Sequence, residues 1–156
     1  MPPHQSRLRI AGQAVQPVLV MFPLGLFAMA VLFDLADLLG GPAILGSLAY
    51  WNVVAGLIGG ILAALAGAID LMLVPHGTPA KRIGVLHGLA NMGVLLLFAV
   101  VLMVRMRSPE RVASGGLLAI EFLALGGAVF SAWYGGELVN RRPAAFARPQ
   151  AGNRSY

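Results

Sequence analysis

Asp70, His87, Asn91 and Glu137 are the residues of this chain whose types and spacing could do chemistry. Each falls within a long apolar run, where a polar or ionisable side chain is costly and faces a bundle interior or an interface. Counted at ~1.5 Å per helical residue from the ends of their runs, Asp70, His87 and Glu137 share one depth, and Gln13 and Gln16 close the same layer. His87 and Asn91 stand four residues apart, on one helix face. An imidazole beside carboxylates could relay protons, contact a quinone headgroup, or ligate the iron of a haem b within a helix bundle. The same residues could instead hold helices together by hydrogen bonds. Both readings stand at this point.

The rest of the chain narrows the chemistry. Only His87 lies within an apolar run, since His4 is in the leading segment and His76 in a short break. Bis-histidine ligation therefore requires His76 to fold inward. Met21, Met29, Met72 and Met92 are available as a second ligand, although a Met in an apolar helix ordinarily packs. There are no cysteines, hence no disulfide and no thiolate site. No nucleophile elbow, phosphate loop or metal-ligand cluster is present, so no residue is nominated as catalytic or metal-binding. A second polar group, Asp34, Asp37, Asn52 and Glu121, falls toward the other end of the runs, with Glu121 deepest. Hydrogen bonding between helices and a wet interface account for these residues.

The elements that position these residues follow from composition. Of 156 residues, 58% are hydrophobic and 11% charged, with a mean hydropathy of +0.81. A soluble domain is nearer half apolar and a quarter charged, so a soluble enzyme is excluded and the bilayer is the solvent. A spanning helix needs ~20 mostly apolar residues. Four runs qualify, at about 15–39, 45–74, 81–105 and 114–140. None alternates as a barrel strand would. Gly40, Gly41 and Pro42, then Pro75 to Pro79, then Arg107 to Arg111 break them. Thr78 before Pro79 suits a helix N-cap followed by Pro at the first position. Short breaks make sequential helices antiparallel. The expected fold is an all-α, up-down-up-down four-helix transmembrane bundle at 15–140, with cytoplasmic segments at 1–14 and 141–156.

Charge placement gives the orientation. Arg7, Arg9, Lys81, Arg82, Arg141, Arg142, Arg148 and Arg154 fall on one side, against Arg105, Arg107 and Arg111 on the other. The positive-inside rule then puts both termini in the cytoplasm. The net charge of +5 is thus mainly a topology signal with some affinity for anionic lipid. No basic and aromatic face is laid out for nucleic acid. Tyr50 and Trp51 are expected as anchors at the opposite interface. The Ala28-Met29-Ala30 triplet resembles a cleavage site, but the apolar run continues past it to Asp34, as in an uncleaved span. The composition after Arg141 reads as a disordered tail.

Small residues hold apolar helices together in lipid. Gly56, Gly60, Ala63 and Gly67 form a row on the second helix; Gly84 and Gly88 lie on the third, and Gly127, Ser131 and Gly135 on the fourth. Tight internal packing is expected, with self-association as the alternative. Pro23 is expected to bend the first helix.

Three segments carry a family resemblance: QPVLVMFPLGLFAMAVLFDL (Gln16 to Leu35), the stretch from Gly56 to Val100 containing AGAIDLMLVPHGTPAKRIGVLHGLAN, and WYGGELVNR (Trp133 to Arg141). They resemble a bacterial family of inner-membrane proteins classified only as a domain of unknown function. The resemblance implies a multi-pass protein of the inner membrane. Some members are joined to electron-transfer domains, which implies haem or quinone binding as a role for His87. His87, Asp70 and Gly135-Gly136-Glu137 match the family pattern. Its Gly-His-Pro-x-His-Pro segment, however, reads Gly12-Gln13-Ala14-Val15-Gln16-Pro17 here, with Gln in place of both histidines. The leading functional expectation is therefore a non-catalytic accessory or structural subunit of a larger membrane complex, whose partners are lipid, other membrane subunits or a second copy. A redox subunit using His87 is the alternative.

Overall fold

A computed structural model describes residues 9–10, 13–108 and 111–140, and the side-chain surroundings of most residues from 19 to 133. Four helices make up nearly all of it: α1 (Val15–Leu38), α2 (Ile44–Met72), α3 (Pro79–Arg105) and α4 (Gly115–Asn140). Each lies within two residues of its expected bounds. Before them, Arg9–Ile10 (β1) pairs antiparallel with Gln13–Ala14 (β2). The fold is an all-α membrane bundle. Leu19–Leu38, Ile44–Met72 and Lys81–Arg105 are long and apolar enough to cross a membrane, and Gly115–Ser131 is the described apolar part of α4. The expected tail from Arg141 lies outside the described residues.

The breaks act through specific backbone geometry. α1 ends with Gly40 at φ +89°. The Gly41 amide reaches back to the Ala36 carbonyl and the Gly40 amide to that of Asp37, the paired bonds of a glycine C-cap that turns the chain sharply into α2. At α3 the Thr78 hydroxyl accepts from the Lys81 amide at 3.2 Å and Pro79 opens the helix, as its order predicts. Lys81 Nζ also donates to the Leu71 carbonyl, placing a cation on the C-terminal end of α2.

Glycines let the helices approach. A Cβ on Gly56 would fall 2.6 Å from the Phe27 ring and one on Gly60 2.5 Å from Leu95, so these positions admit neighbouring side chains of α1 and α3. Phe27 stacks on Phe98 with centroids 3.9 Å apart, joining α1 to α3 through the middle of the core. Ala30, Ala49, Val53, Leu57, Val94 and Ala124 complete that cluster. Pro23 stays within a continuous α1, facing Gly59 of α2.

The core is one-sided. Buried positions concentrate where the α1–α2 and α3–α4 loops lie, and from Ala64 to Gly93 no described residue is buried. The glycine rows divide accordingly. At Gly56, Gly60 and Gly84 they receive side chains, whereas Gly88, Gly93, Gly126 and Gly127 have no atom of the described residues within 4 Å of the position of a Cβ. Of the α4 row, Ser131 meets His87 of α3, whereas the Cβ position of Gly127 has no neighbour among the described residues.

Candidate functional site

Two polar sites lie within the bundle. The first belongs to the layer expected from the sequence. His87 sits in the third turn of α3, and its imidazole spans two partners. Asn91 Nδ2 donates to His87 Nε2 at 3.0 Å, and the proton then on Nδ1 is donated to Ser131 Oγ of α4 at 3.1 Å. The spacing of four had put His87 and Asn91 on one face. Ser131 is the partner the sequence did not supply, since it reads there as one of a row of small residues. Asp70 does not join them: its Oδ2 is shielded and lacks a hydrogen-bond partner among the described residues. The Glu137 side chain lies outside the described residues.

This geometry bears on the implied cofactors. An axial haem ligand offers the iron a ring nitrogen lone pair. On His87 one nitrogen already accepts from Asn91 and the other carries the proton given to Ser131. Ligation of iron through Nε2 would require Asn91 to give up its bond. A quinone carbonyl would have to displace Ser131 to take the Nδ1 proton. No group of three His, Cys, Asp or Glu side chains among the described residues is placed to hold a metal ion.

The second site is at the opposite end, and its centre is Arg105, which the sequence presents only as an orientation charge. A guanidinium has five N–H donors in a rigid fork, and here each one is used. Nη1 donates to Asp34 Oδ2 at 2.6 Å and reaches Glu121 Oε1 at 3.4 Å. Nη2 donates to Asp34 Oδ1 and to the Gly46 carbonyl, both at 2.9 Å. Nε donates to the Arg111 carbonyl at 2.9 Å. One side chain at the end of α3 therefore grips α1, the start of α2, the α3–α4 loop and α4.

Local features make that grip available. Arg105 and Glu121 are 0% exposed and Asp34 2%, so the charges are removed from water and lipid alike. Gly46 presents its carbonyl because it has no side chain; a Cβ there would meet Asp37 Oδ2 and Val112 Cγ2 at 3.2 Å. Arg111 adopts φ +54°, a left-handed conformation that a non-glycine residue takes only under local constraint. Its carbonyl turns to Arg105 while its guanidinium lies 4.9 Å above the Tyr50 ring. Tyr50 is thus buried beneath the loop, contrary to the expectation that it anchors in the interface, whereas Trp51 is exposed. Asn52 bonds the Leu48 carbonyl of its own helix, a purely structural use.

A signal for this node was present in the sequence. Asp34, Asp37 and Glu121 had been placed at one end, and Arg105 ends the third run at the same end. Opposite charges at one depth of a low-dielectric bundle pair strongly. The position of Arg105 beside the loop cations Arg107 and Arg111 conceals the match in the sequence.

No curated protein and no solved structure matches the chain. Residues 12–146 match the family described as predicted membrane protein, DUF2231. The match spans all four helices and both polar sites, and the chain belongs to that family.

Proposed function

We propose that this protein is a non-catalytic accessory or structural subunit of a larger membrane complex. The observation that carries the reading is the division of its glycines. Gly56, Gly60 and Gly84 are filled by neighbouring side chains, whereas Gly88, Gly93, Gly126 and Gly127, on α3 and α4, have no neighbour among the described residues. Lipid gains nothing from a glycine, but another helix gains close approach. The same half of the bundle carries His87, Asn91 and Ser131 at partial exposure. Polar groups at membrane depth favour cover by protein over lipid. Both ring nitrogens of His87 are engaged within the chain, which supports a structural use over ligation.

The charge distribution supports an inner-membrane orientation with both termini in the cytoplasm. Purification at native expression in mild detergent tests the subunit reading. The chain is expected to bring a stoichiometric membrane partner or a second copy. Gly126→Leu is expected to release it without unfolding the bundle. A wild-type chain that runs alone under those conditions overturns the proposal.

A further inference from the structure

The Arg105 junction has one guanidinium for two carboxyl groups, and the two are held unequally. Asp34 takes two short, parallel bonds, at 2.6 and 2.9 Å, the fork geometry of a full ion pair. Glu121 is reached only at 3.4 Å, well beyond the ~2.7–2.9 Å of a charge-assisted bond. Its other oxygen, Oε2, is buried with no hydrogen-bond partner among the described residues. Asp34 Oδ2 and Glu121 Oε1 nonetheless share one guanidinium nitrogen, Nη1. Two carboxylates are acceptors only. Two of them at one nitrogen, in a site sealed from water, need positive charge beyond the single guanidinium.

We infer that the Arg105–Asp34–Glu121 junction is a proton-binding site, holding one proton on Glu121 that is shared toward Asp34. The charges then sum to zero: Arg105 carries one positive charge, Asp34 one negative, and Glu121 none. A proton needs no cavity. A metal ion would need room and a ligand set, and no group of three candidate ligands is placed to hold one among the described residues. α1 brings Asp34 and, beside Gly46, Asp37. α2 brings only the Gly46 carbonyl; α3 brings Arg105. The α3–α4 loop brings the Arg111 carbonyl, with the Arg111 guanidinium turned away over Tyr50. No second cation faces Glu121 among these groups.

The test is carboxyl spectroscopy on the full chain in lipid nanodiscs at neutral pH, with glutamate labelled by 13C at the side-chain carboxyl. The chain has three glutamates, Glu110, Glu121 and Glu137. A carboxylic-acid C=O signal is expected from Glu121, absent in Glu121→Gln and retained in the Glu110→Gln/Glu137→Gln double variant. Because Gln is neutral and nearly isosteric, Glu121→Gln is expected to keep the wild-type helical content. If Glu121→Gln does not fold, the double variant decides alone, since Glu121 is then its only glutamate. Three ionised glutamates in the wild type, or an acid signal that survives Glu121→Gln, overturns the inference.

Discussion

Arg105 and Asp34, 71 positions apart, form a two-point ion pair sealed from solvent, with distances of 2.6 and 2.9 Å. The pair closes α1 onto α3 at the loop end of the bundle. Gly46, Glu121 and Arg111 occupy the remaining donors of the guanidinium. Its cost and its benefit are both large because no water screens it.

Removing one partner should therefore damage the fold more than removing both. Asp34→Ala leaves Arg105 buried without its main counter-charge, and breaking such pairs costs about 3–5 kcal/mol. Replacement of Asp34, Arg105 and Glu121 together by apolar residues of similar volume is expected to recover most of that loss. Reversible unfolding in mixed micelles, followed by circular dichroism, checks the ordering of the variants. Arg105→Lys is expected to behave as a loss, since an ammonium cannot match a five-donor fork.

The contact of Gly56 with Phe27 predicts strong sensitivity at one glycine and indifference at another. Gly56→Ala puts a methyl carbon 2.6 Å from the ring and is expected to destabilise the bundle by about 1–3 kcal/mol through overpacking. Gly126→Ala meets nothing among the described residues and should leave monomer stability unchanged. Thermal unfolding of the two variants in the same detergent makes the comparison. Equal sensitivity would contradict the packing.

Phe98 stands at 0% exposure against Phe27. Phe98→Ala removes the stack and leaves a void between α1 and α3, with an expected loss of about 3–5 kcal/mol. Phe98→Leu should lose less. Denaturation midpoints rank the two.

Thr78 caps α3 through the Lys81 amide. Thr78→Ala is expected to cost about 1 kcal/mol, and Thr78→Ser close to nothing, since the hydroxyl alone does the capping. Hydrogen exchange of the amides at the start of α3 reads the effect locally, even where global stability changes little.

His87 engages both ring nitrogens within the chain. Protein made in haem-replete cells is therefore expected to show no Soret band. Ser131→Ala should leave the imidazole proton without its partner and shift the ring resonances of His87 in NMR. A Soret band that vanishes in His87→Ala would show that the ring turns outward to iron.

Much of the bundle was legible because it depends on short-range rules. Helix length against membrane thickness located all four helices, and Thr78-Pro79 and Gly40-Gly41 behaved as their local chemistry requires. The Gly56, Gly60 and Ala63 row was legible as a buried face, since spacing sets a helix face before any neighbour is known. The sites were less legible. Equal depth suggested that Asp70 and His87 meet, but depth leaves rotation about the helix axis undetermined, and no bond joins them among the described residues. Arg105 was hidden by its place at a helix end, where a cation ordinarily faces water and counts toward orientation.

By itself the sequence determined the solvent, the number of helices, their breaks and the depth of each polar residue. Those quantities follow from hydrophobic length, backbone geometry and a rise that is the same for every helix. Only the tertiary structure decided which polar groups meet. It turned Arg105 inward to Asp34 and Glu121, gave His87 to Ser131, and left Gly88, Gly93, Gly126 and Gly127 without a neighbour among the described residues. The reason is physical: which faces meet depends on the mutual rotation and approach of four helices. Contacts such as Phe27 on Gly56 set these, and no local stretch of sequence contains them.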